Sequence, residues 1–450
     1  MRKKSALIFC FLVGCSVGHD YERPDYKLPE DWKEGKAFSQ DVQTPENWWN
    51  HLNDPFLNKL VQNALRNNKD IQIAKSRLKK AQTFYQGSVS TLFPKLDFQI
   101  GARRGNLGYQ TQNQIQDVYQ SQLDASLDLD LFGGSRRRIE AQDAFVASAG
   151  YTLEGIQKEI ISSLVQGYIS LRESQYQRKI FKELTDIQKK LYDQTLAKHH
   201  LGAIDRDFVD TKRIEYERSV TQLLQIDKII NQIMYQLAVL MGEEIPPVVQ
   251  TLRIPGEIPF FEKIPFINSP FQVMEQRADV QAAERMLAAR TALTNAAISE
   301  MFPKINLSSL FPGYQSNSVI PSTQVWSIGV GAILPLFHFG QISSMIDAAD
   351  ADEQEAYQAF RKTILQAVAD VEIKLSDYEK SRSQTNTSGK TFQQQKRLFQ
   401  SVQSKYQNGL LSKEHVLQAQ INLTQAEAQY VMAQAMETRA IAALQKALGR

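Results

Sequence analysis

Tyr119–Phe132 reads YQSQLDASLDLDLF. Leu123, Ala125, Leu127, Leu129 and Leu131 fall on one parity, and Asp124, Ser126, Asp128 and Asp130 on the other. Successive side chains of a β-strand point to opposite faces, so this stretch predicts a strand with one apolar and one polar face. Apolar-out, polar-in alternation is the pattern of a strand in a membrane barrel, and a soluble hairpin with one buried face shows it too. Val325–Phe337 has the same pattern, with Trp326, Ile328, Val330, Ala332 and Leu334 opposite Ser327, Gly329 and Gly331. Lys95–Ala102 and Ile305–Phe311 alternate more weakly and are expected to be the first strands of two hairpins. Four such strands cannot close in lipid, because an open edge leaves backbone groups unsatisfied and single-chain barrels begin at about eight strands. The chain must therefore associate: two copies would supply about eight strands and three about twelve, and both counts satisfy the pattern.

The two hairpins belong to two copies of one unit. Shifted by 207 positions, Gly133 meets Gly340, Gly202 meets Gly409, Val209 meets Val416 and Gly242 meets Gly449. Ile139-Glu140-Ala141 meets Ile346-Asp347-Ala348 at the same shift. Phe93-Pro94-Lys95 meets Phe302-Pro303-Lys304 at a shift of 209, and Leu131-Phe132 meets Leu336-Phe337 at 205. Matched copies argue for one supersecondary unit used twice. Each copy reads helix, two strands, very long helix, turn, long helix. The boundaries are 56–242 for the first repeat and 271–450 for the second. Residues 243–270, with Pro246, Pro247, Pro255, Pro259, Pro265 and Pro270, read as a Pro-rich linker.

No proline lies between Pro94 and Pro246 or after Pro335, which permits very long helices. Ser135 to about Leu196 and Gln341 to about Tyr406 are the longest of these runs. At about 1.5 Å per residue each would extend about 90 Å, and Gly150, Gly155, Gly167 and Gly389 are the weak points. In the last segment Ala419, Ala426, Ala433, Ala440 and Ala447 recur every seven residues. Val416, Leu423, Tyr430 and Leu444 form a second row, broken by Glu437, and Ile421, Ala428, Ala435 and Ala442 a third. Such rows form a heptad seam, and small residues on two flanks suit a helix with a neighbour on each side. The first copy carries Val209, Tyr216, Leu223, Ile230 and Leu237 at matching positions.

The totals exclude several classes. The 450 residues carry 52 basic and 49 acidic side chains, a net charge of +3, which leaves no surplus to neutralise a nucleic-acid backbone. Cys10 and Cys15 are the only cysteines, so the body can hold neither a disulfide framework nor a Cys-based metal site. Only His199 and His200 are adjacent, which is not the spacing of a helical metal pair. No nucleophile–base pair, phosphate loop or metal motif is present, so an enzyme is not expected. Arg2, Lys3 and Lys4, followed by the apolar run Ala6–Val13, predict a secretory signal over residues 1–14. Leu12-Val13-Gly14-Cys15 resembles a bacterial lipobox, with Val13 where Ala or Ser is commoner. That resemblance implies a covalent lipid on Cys15 and a lipid-anchored segment over 15–55, and by resemblance to other lipoproteins Ser16 after the Cys favours sorting to the outer membrane; no cofactor is expected beyond that lipid.

Further motifs extend from Cys15 to the C-terminus: Val17-Gly18-His19-Asp20-Tyr21 with Pro24; Trp48, Trp49, Asp54, Pro55, Leu57 and Leu60; Arg277, Asp279, Val280, Ala282, Ala283 and Glu284; Tyr406, Gly409, Val416, Leu417, Ala419 and Gln420. In this order, with the repeat, they resemble the outer-membrane efflux channels of the TolC and OprM type, in the lipoprotein (NodT-like) branch. His19 and Ala278 stand where that family usually has proline. The resemblance implies an α+β membrane protein: a homotrimer with a 12-stranded β-barrel, four strands per protomer, continued by a long α-helical coiled-coil periplasmic tunnel. It implies a passive exit duct for small molecules in a tripartite system. The partners would be a periplasmic adaptor (membrane fusion) protein, an inner-membrane pump such as an RND transporter, and outer-membrane lipid. Protein secretion through the same kind of duct, and a non-conducting structural lipoprotein of the periplasm, are the alternative readings.

The tunnel end is where the sequence departs from the family. Gln418 stands where an aspartate usually precedes Ala419, and His415 where some relatives place another. Asp205, Asp207 and Asp210 beside the matching turn could supply charge instead, or could simply start a helix, where its dipole favours acidic groups. Gly202 and Gly409 are the expected turn positions and, by resemblance, the adaptor-contact candidates.

Overall fold

Pro94 and Pro303 each stand immediately before a strand, where the ring ends helical propagation and favours extended backbone. The computed structural model describes residues 16–34, 47–106, 115–261, 267–317 and 320–450, so Cys15 and the preceding signal lie outside the described residues. A 3-10 turn (Trp48–Leu52) precedes α1 (Pro55–Asn67) and α2 (Lys69–Ser90). β1 (Lys95–Asn106) and β2 (Ile115–Leu129) lead into α3 (Gly134–His200) and α4 (Arg206–Met241). After α5 (Ile245–Leu252) the order recurs: α6 (Pro270–Gln276), α7 (Ala278–Ser299), β3 (Lys304–Asn317), β4 (Ile320–Ile333), α8 (Gln341–Gln407) and α9 (Lys413–Ala447).

The backbone carries the repeat in its torsion angles. Gly133 and Gly340 have φ of 81° and 85°, Gly202 and Gly409 of 73° and 74°, and Gly242 and Gly449 of 66° and 80°. Left-handed φ is cheap only for glycine, so the 207-residue shift fixes where each helix starts or stops. α3 and α8 are 67 residues each and run unbroken through Gly150, Gly155, Gly167 and Gly389. A mid-helix glycine costs about 1 kcal/mol, which burial along a long helix outweighs. At Gly167 a Cβ would come within 2.9 Å of Leu237 Cδ2, so glycine there admits a close neighbour.

Several boundaries differ from the sequence reading. β2 ends at Leu129 and β4 at Ile333, short of Phe132 and Phe337. Pro335 removes a ladder donor at the end of β4, and Asp130 is drawn away to accept from the backbone N–H groups of Ser135 and Arg136 at 3.0 and 2.9 Å. The Pro-rich stretch is more than a linker: it contains α5, with proline in its first turn, where a missing N–H costs nothing.

The chain forms two compact units, each drawing on both repeats. One comprises residues up to Tyr26, Ser76–Tyr151 and Gln281–Thr363 and holds the sheet. Beside the strands, Ala144, Ala288 and Ala289 bring helices together, and Tyr21 and Phe145 pack on them. The N-terminal segment straps this unit. Val17 N–H donates to Phe132 O at 3.1 Å, Arg137 Nη2 to Asp20 at 2.9 Å, Asn295 Nδ2 to His19 O at 2.7 Å and Tyr21 Oη to Glu284 at 2.8 Å.

The other unit comprises Lys27–Lys75, Thr152–Val280 and Ile364–Arg450. Its core joins Trp48, Leu57, Leu164, Tyr168, Met234, Leu237 and Leu252. Burying a side chain of this size contributes about 1.5–3 kcal/mol, so α5 is held by Val248, Val249 and Leu252 rather than by its eight residues of helix. On α9, Ala433 and Ala435 are 1% and 0% exposed although two helical positions lie about 200° apart around the axis. That helix is therefore buried on two flanks. Near its start, Leu417 and Ile421 pack against Leu184, Ile187 and Leu191 of α3.

Candidate functional site: strand faces, sheet edges and helix turns

The strands form one antiparallel sheet in the order β1-β2-β3-β4. Directly opposed residues share a face. Leu96 faces Ala125 and Phe98 faces Leu123; Leu127 faces Leu307 and Leu129 faces Ile305; Leu307 faces Val330 and Ile305 faces Ala332. On the other face Asp97 meets Asp124 and Gln99 meets Gln122; Ser126 meets Ser308 and Asp128 meets Asn306; Asn306 meets Gly331 and Ser308 meets Gly329. Gln122 Nε2 donates to Gln99 at 3.3 Å and to Asp124 at 3.0 Å, and Asn306 Nδ2 donates to Asp128 at 2.7 Å. Two aspartates opposed across a ladder are tolerated where water reaches them. Phe98, Ile100, Trp326 and Val330 are 68%, 81%, 70% and 71% exposed, and a soluble surface does not leave so broad an apolar face bare. The face suits lipid. Among the described residues, β1 and β4 are each paired on one side only.

The second feature is a pair of helix turns. At the end of α3, Gly202 N–H donates to His199 O at 2.8 Å and Ala203 N–H to Lys198 O at 3.0 Å. At the end of α8, Gly409 N–H donates to Tyr406 O and Leu410 N–H to Lys405 O, both at 2.9 Å. These are the same Schellman-type stop, 207 positions apart. Asp205 and Ser412 occupy the equivalent N-cap positions of α4 and α9, with Asp207 and Glu414 in the first turns. Asp210 lies 3.8 Å from its helical neighbour Arg206. His415 is exposed, with Nδ1 2.8 Å from Ser412 Oγ. Gln418 is exposed and donates to Asn422 at 3.4 Å.

The turns are tied by a contact that no motif announced. Lys198 Nζ lies 2.9 Å from Glu414 Oε2, and the lysine hydrogen bond holds the Glu414 carboxyl below the usual carboxylate range. Asp205, Asp207 and Asp210 are also exposed and sit at the start of α4, so the structure brings all five candidate polar residues to helix starts beside the two turns. Val17–Tyr21 stood out as a motif, but the contacts it makes as a strap did not. The turns themselves were signalled by Gly202 and Gly409 at the repeat shift, but the tie between Lys198 and Glu414 was not. Among the described residues no His, Cys, Asp and Glu cluster could hold a metal, and no helix is long and apolar enough to cross a membrane.

A sheet with one apolar and one polar face, two unpaired edges and four long helices in a repeated chain defines the protomer of an outer-membrane channel. The chain belongs to the outer membrane efflux protein family, whose family model matches residues 60–243 and 270–450, closely following the two repeats. It is 26% identical over 464 residues to the pyoverdine export outer membrane protein OpmQ of Pseudomonas aeruginosa, covering 100% of this chain and 97% of that one. It is 25% identical over 461 residues to the toluene efflux pump outer membrane protein TtgC of Pseudomonas putida, covering 97% and 93%. Among solved structures, the outer-membrane channel OprN superposes with a TM-score of 0.85 at 26% identity, covering 97% of this chain and 99% of that one.

Proposed function

We propose that three copies of this chain close a barrel in the outer membrane and form a passive exit duct for small molecules. The observation that carries this reading is the sheet: its apolar face needs lipid, its polar face needs water, and its β1 and β4 edges need partners. Pairing β4 of one copy with β1 of the next satisfies both edges, and three copies supply the twelve strands implied by the four in each chain. The helices would continue the passage into the periplasm, where the turns at Gly202 and Gly409 would meet an adaptor and, through it, an inner-membrane pump such as an RND transporter. Lipid on Cys15 would anchor each copy. The next residue, Ser16, lies against the β2–α3 junction, its Cα 3.0 Å from where a Cβ on Gly133 would stand. The names of the relatives, pyoverdine export and toluene efflux, support a small-molecule cargo over a polypeptide.

Planar-bilayer recording of the purified chain tests this. Discrete unitary conductance from a species of trimeric mass is the expected result. A stable, non-conducting monomer in detergent would overturn it.

A further inference from the structure

We propose that Phe339 of one copy stacks on Phe93 of its neighbour, repeating between copies a joint that Phe132 and Phe302 make within the chain. This rests on the trimeric reading above.

Within the chain, the Phe132 and Phe302 rings stack with centroids 5.0 Å apart and planes at 23°. Phe132 follows β2 and Phe302 precedes β3, so the stack closes the base of the β2–β3 seam. The strand registers say which residues correspond. Lys95 pairs with Ser126, and Lys304 pairs with Ile333. First strands therefore map by 304 − 95 = 209 and second strands by 333 − 126 = 207. Applied to the stack, Phe302 maps to Phe93 and Phe132 maps to Phe339; the strand registers and the Gly133–Gly340 match set this shift of 207, which supersedes the sequence pairing of Phe132 with Phe337. Both images are phenylalanine. Both precede the same landmarks, Pro94-Lys95 in one case and the left-handed Gly340 in the other.

The images lack the ring partner that the half-buried originals have. Phe93 is 63% exposed and Phe339 101% exposed. Phe339 also has φ of 45°, a region that a non-glycine residue occupies only where its surroundings hold it there. Fully exposed, Phe339 has no such constraint from its own chain. The seam that would cover both rings is the one between β4 and β1, the two open edges. The same mapping sets its register. Leu127 opposite Leu307 becomes Leu334 opposite Phe98, and Leu129 opposite Ile305 becomes Leu336 opposite Leu96. All four image residues are apolar and exposed.

The polar part of the joint is not copied. Arg138 and Glu300 form an ion pair beside the internal stack, and their images are Met345 and Thr91. Between copies the aromatic pair thus stands without ionic support, which makes the joint apolar and a second copy of the chain its fitting occupant.

Cysteine cross-linking in outer membranes tests the contact, since Cys10 and Cys15 are the only native cysteines. Full-length Phe93→Cys/Phe339→Cys, treated with a short bismaleimide, is expected to give covalent dimers and trimers on a denaturing gel. Each single variant is expected to give none. Leu334→Cys/Phe98→Cys probes the seam separately. If it cross-links while Phe93→Cys/Phe339→Cys does not, the stack is overturned and the trimer stands. If neither does and the native mass is that of a monomer, the trimeric reading falls with it. Phe339→Trp fluorescence in brominated-lipid vesicles gives the remaining alternative: strong quenching would place the ring in lipid and overturn the stack, and weak quenching is expected.

Discussion

Lys198 and Glu414 stand 216 positions apart in sequence and 2.9 Å apart in space, joining the last turn of α3 to the first turn of α9. Each lies where the helix dipole favours its sign: lysine at a C-terminus, glutamate at an N-terminus. Both side chains are about half exposed, so the pair contributes at most about 1 kcal/mol and weakens with salt. Its pH dependence has a definite sign. The folded carboxyl titrates below its unfolded value, so the contribution is present above the unfolded value of about 4.3 and is lost as pH falls through the folded one. Amide protection around 198–206 and 412–418, taken relative to the intrinsic exchange rate at each pH, is expected to fall as the pH drops through the folded carboxyl's range, and at neutral pH in Glu414→Gln. Equal exchange in Glu414→Gln and the parent would show the tie to be idle.

The glycines at helix ends divide into two groups. Gly409 has φ of 74° and open space where a Cβ would stand, so Gly409→Ala bears only the left-handed penalty, about 1–2 kcal/mol. Gly242 has a similar φ of 66°, but a Cβ would lie 2.3 Å from the backbone oxygen of Asn67, which cannot swing away. Gly242→Ala should therefore lower the thermal midpoint in detergent clearly more than Gly409→Ala. Matching midpoints would refute the packing explanation.

Much of this fold can be read from residue spacing, because period-two alternation and proline-free runs are local consequences of backbone geometry. Leu123 to Leu129 announced a strand, and Gly202 with Gly409 announced matched turns. What stayed hidden depends on chain segments meeting across long separations. Tyr21 bonds Glu284 across 263 positions, and nothing near either residue signals the other. α5 was obscured by its own prolines, whose placement in a first turn is favourable but whose count suggests a loop. The aspartates at 205, 207 and 210 looked equally suited to a charged constriction and a helix start, since both uses need an exposed acid at an N-terminus.

Asp54 carries two duties that one substitution can separate. Its Oδ1 accepts from Phe56 and Leu57 N–H at 2.9 and 3.1 Å, capping α1, and its Oδ2 accepts from Tyr168 Oη at 2.6 Å. Burial, followed by the Asp54 hydrogen bond, pushes the Tyr168 phenol up to about 12. Tyr168→Phe removes one bond and should cost about 1 kcal/mol. Asp54→Ala loses the cap, about 1 kcal/mol, and the Tyr168 bond as well, about 1 kcal/mol more, with Arg172 still beside the phenol. Asp54→Asn keeps the cap and should fall between them. Denaturant midpoints in that order are expected; Asp54→Ala no worse than Tyr168→Phe would contradict the double role.

Gln418→Asp tests whether the turn region lines the conducting path. It is exposed one helical turn beyond Glu414, on the first part of α9, and its amide reaches only its own helix at Asn422. A carboxylate there would face Glu414 at the i, i+4 spacing, a repulsion of about 0.2–0.5 kcal/mol, so Gln418→Asp should fold normally. Glu414 is already neutralised by Lys198, which leaves the new charge the strongest uncompensated acid on that turn. In a three-copy duct the substitution adds three such charges at one level, and a narrow, low-dielectric passage focuses their field. The expected outcome is a reversal potential shifted toward cation selectivity under a salt gradient, with the parent less selective. Asp210→Asn serves as the comparison, because Asp210 lies beside Arg206 and its loss should alter selectivity less. An unchanged reversal potential in Gln418→Asp, from channels of normal assembly, would place Gln418 away from the conducting path.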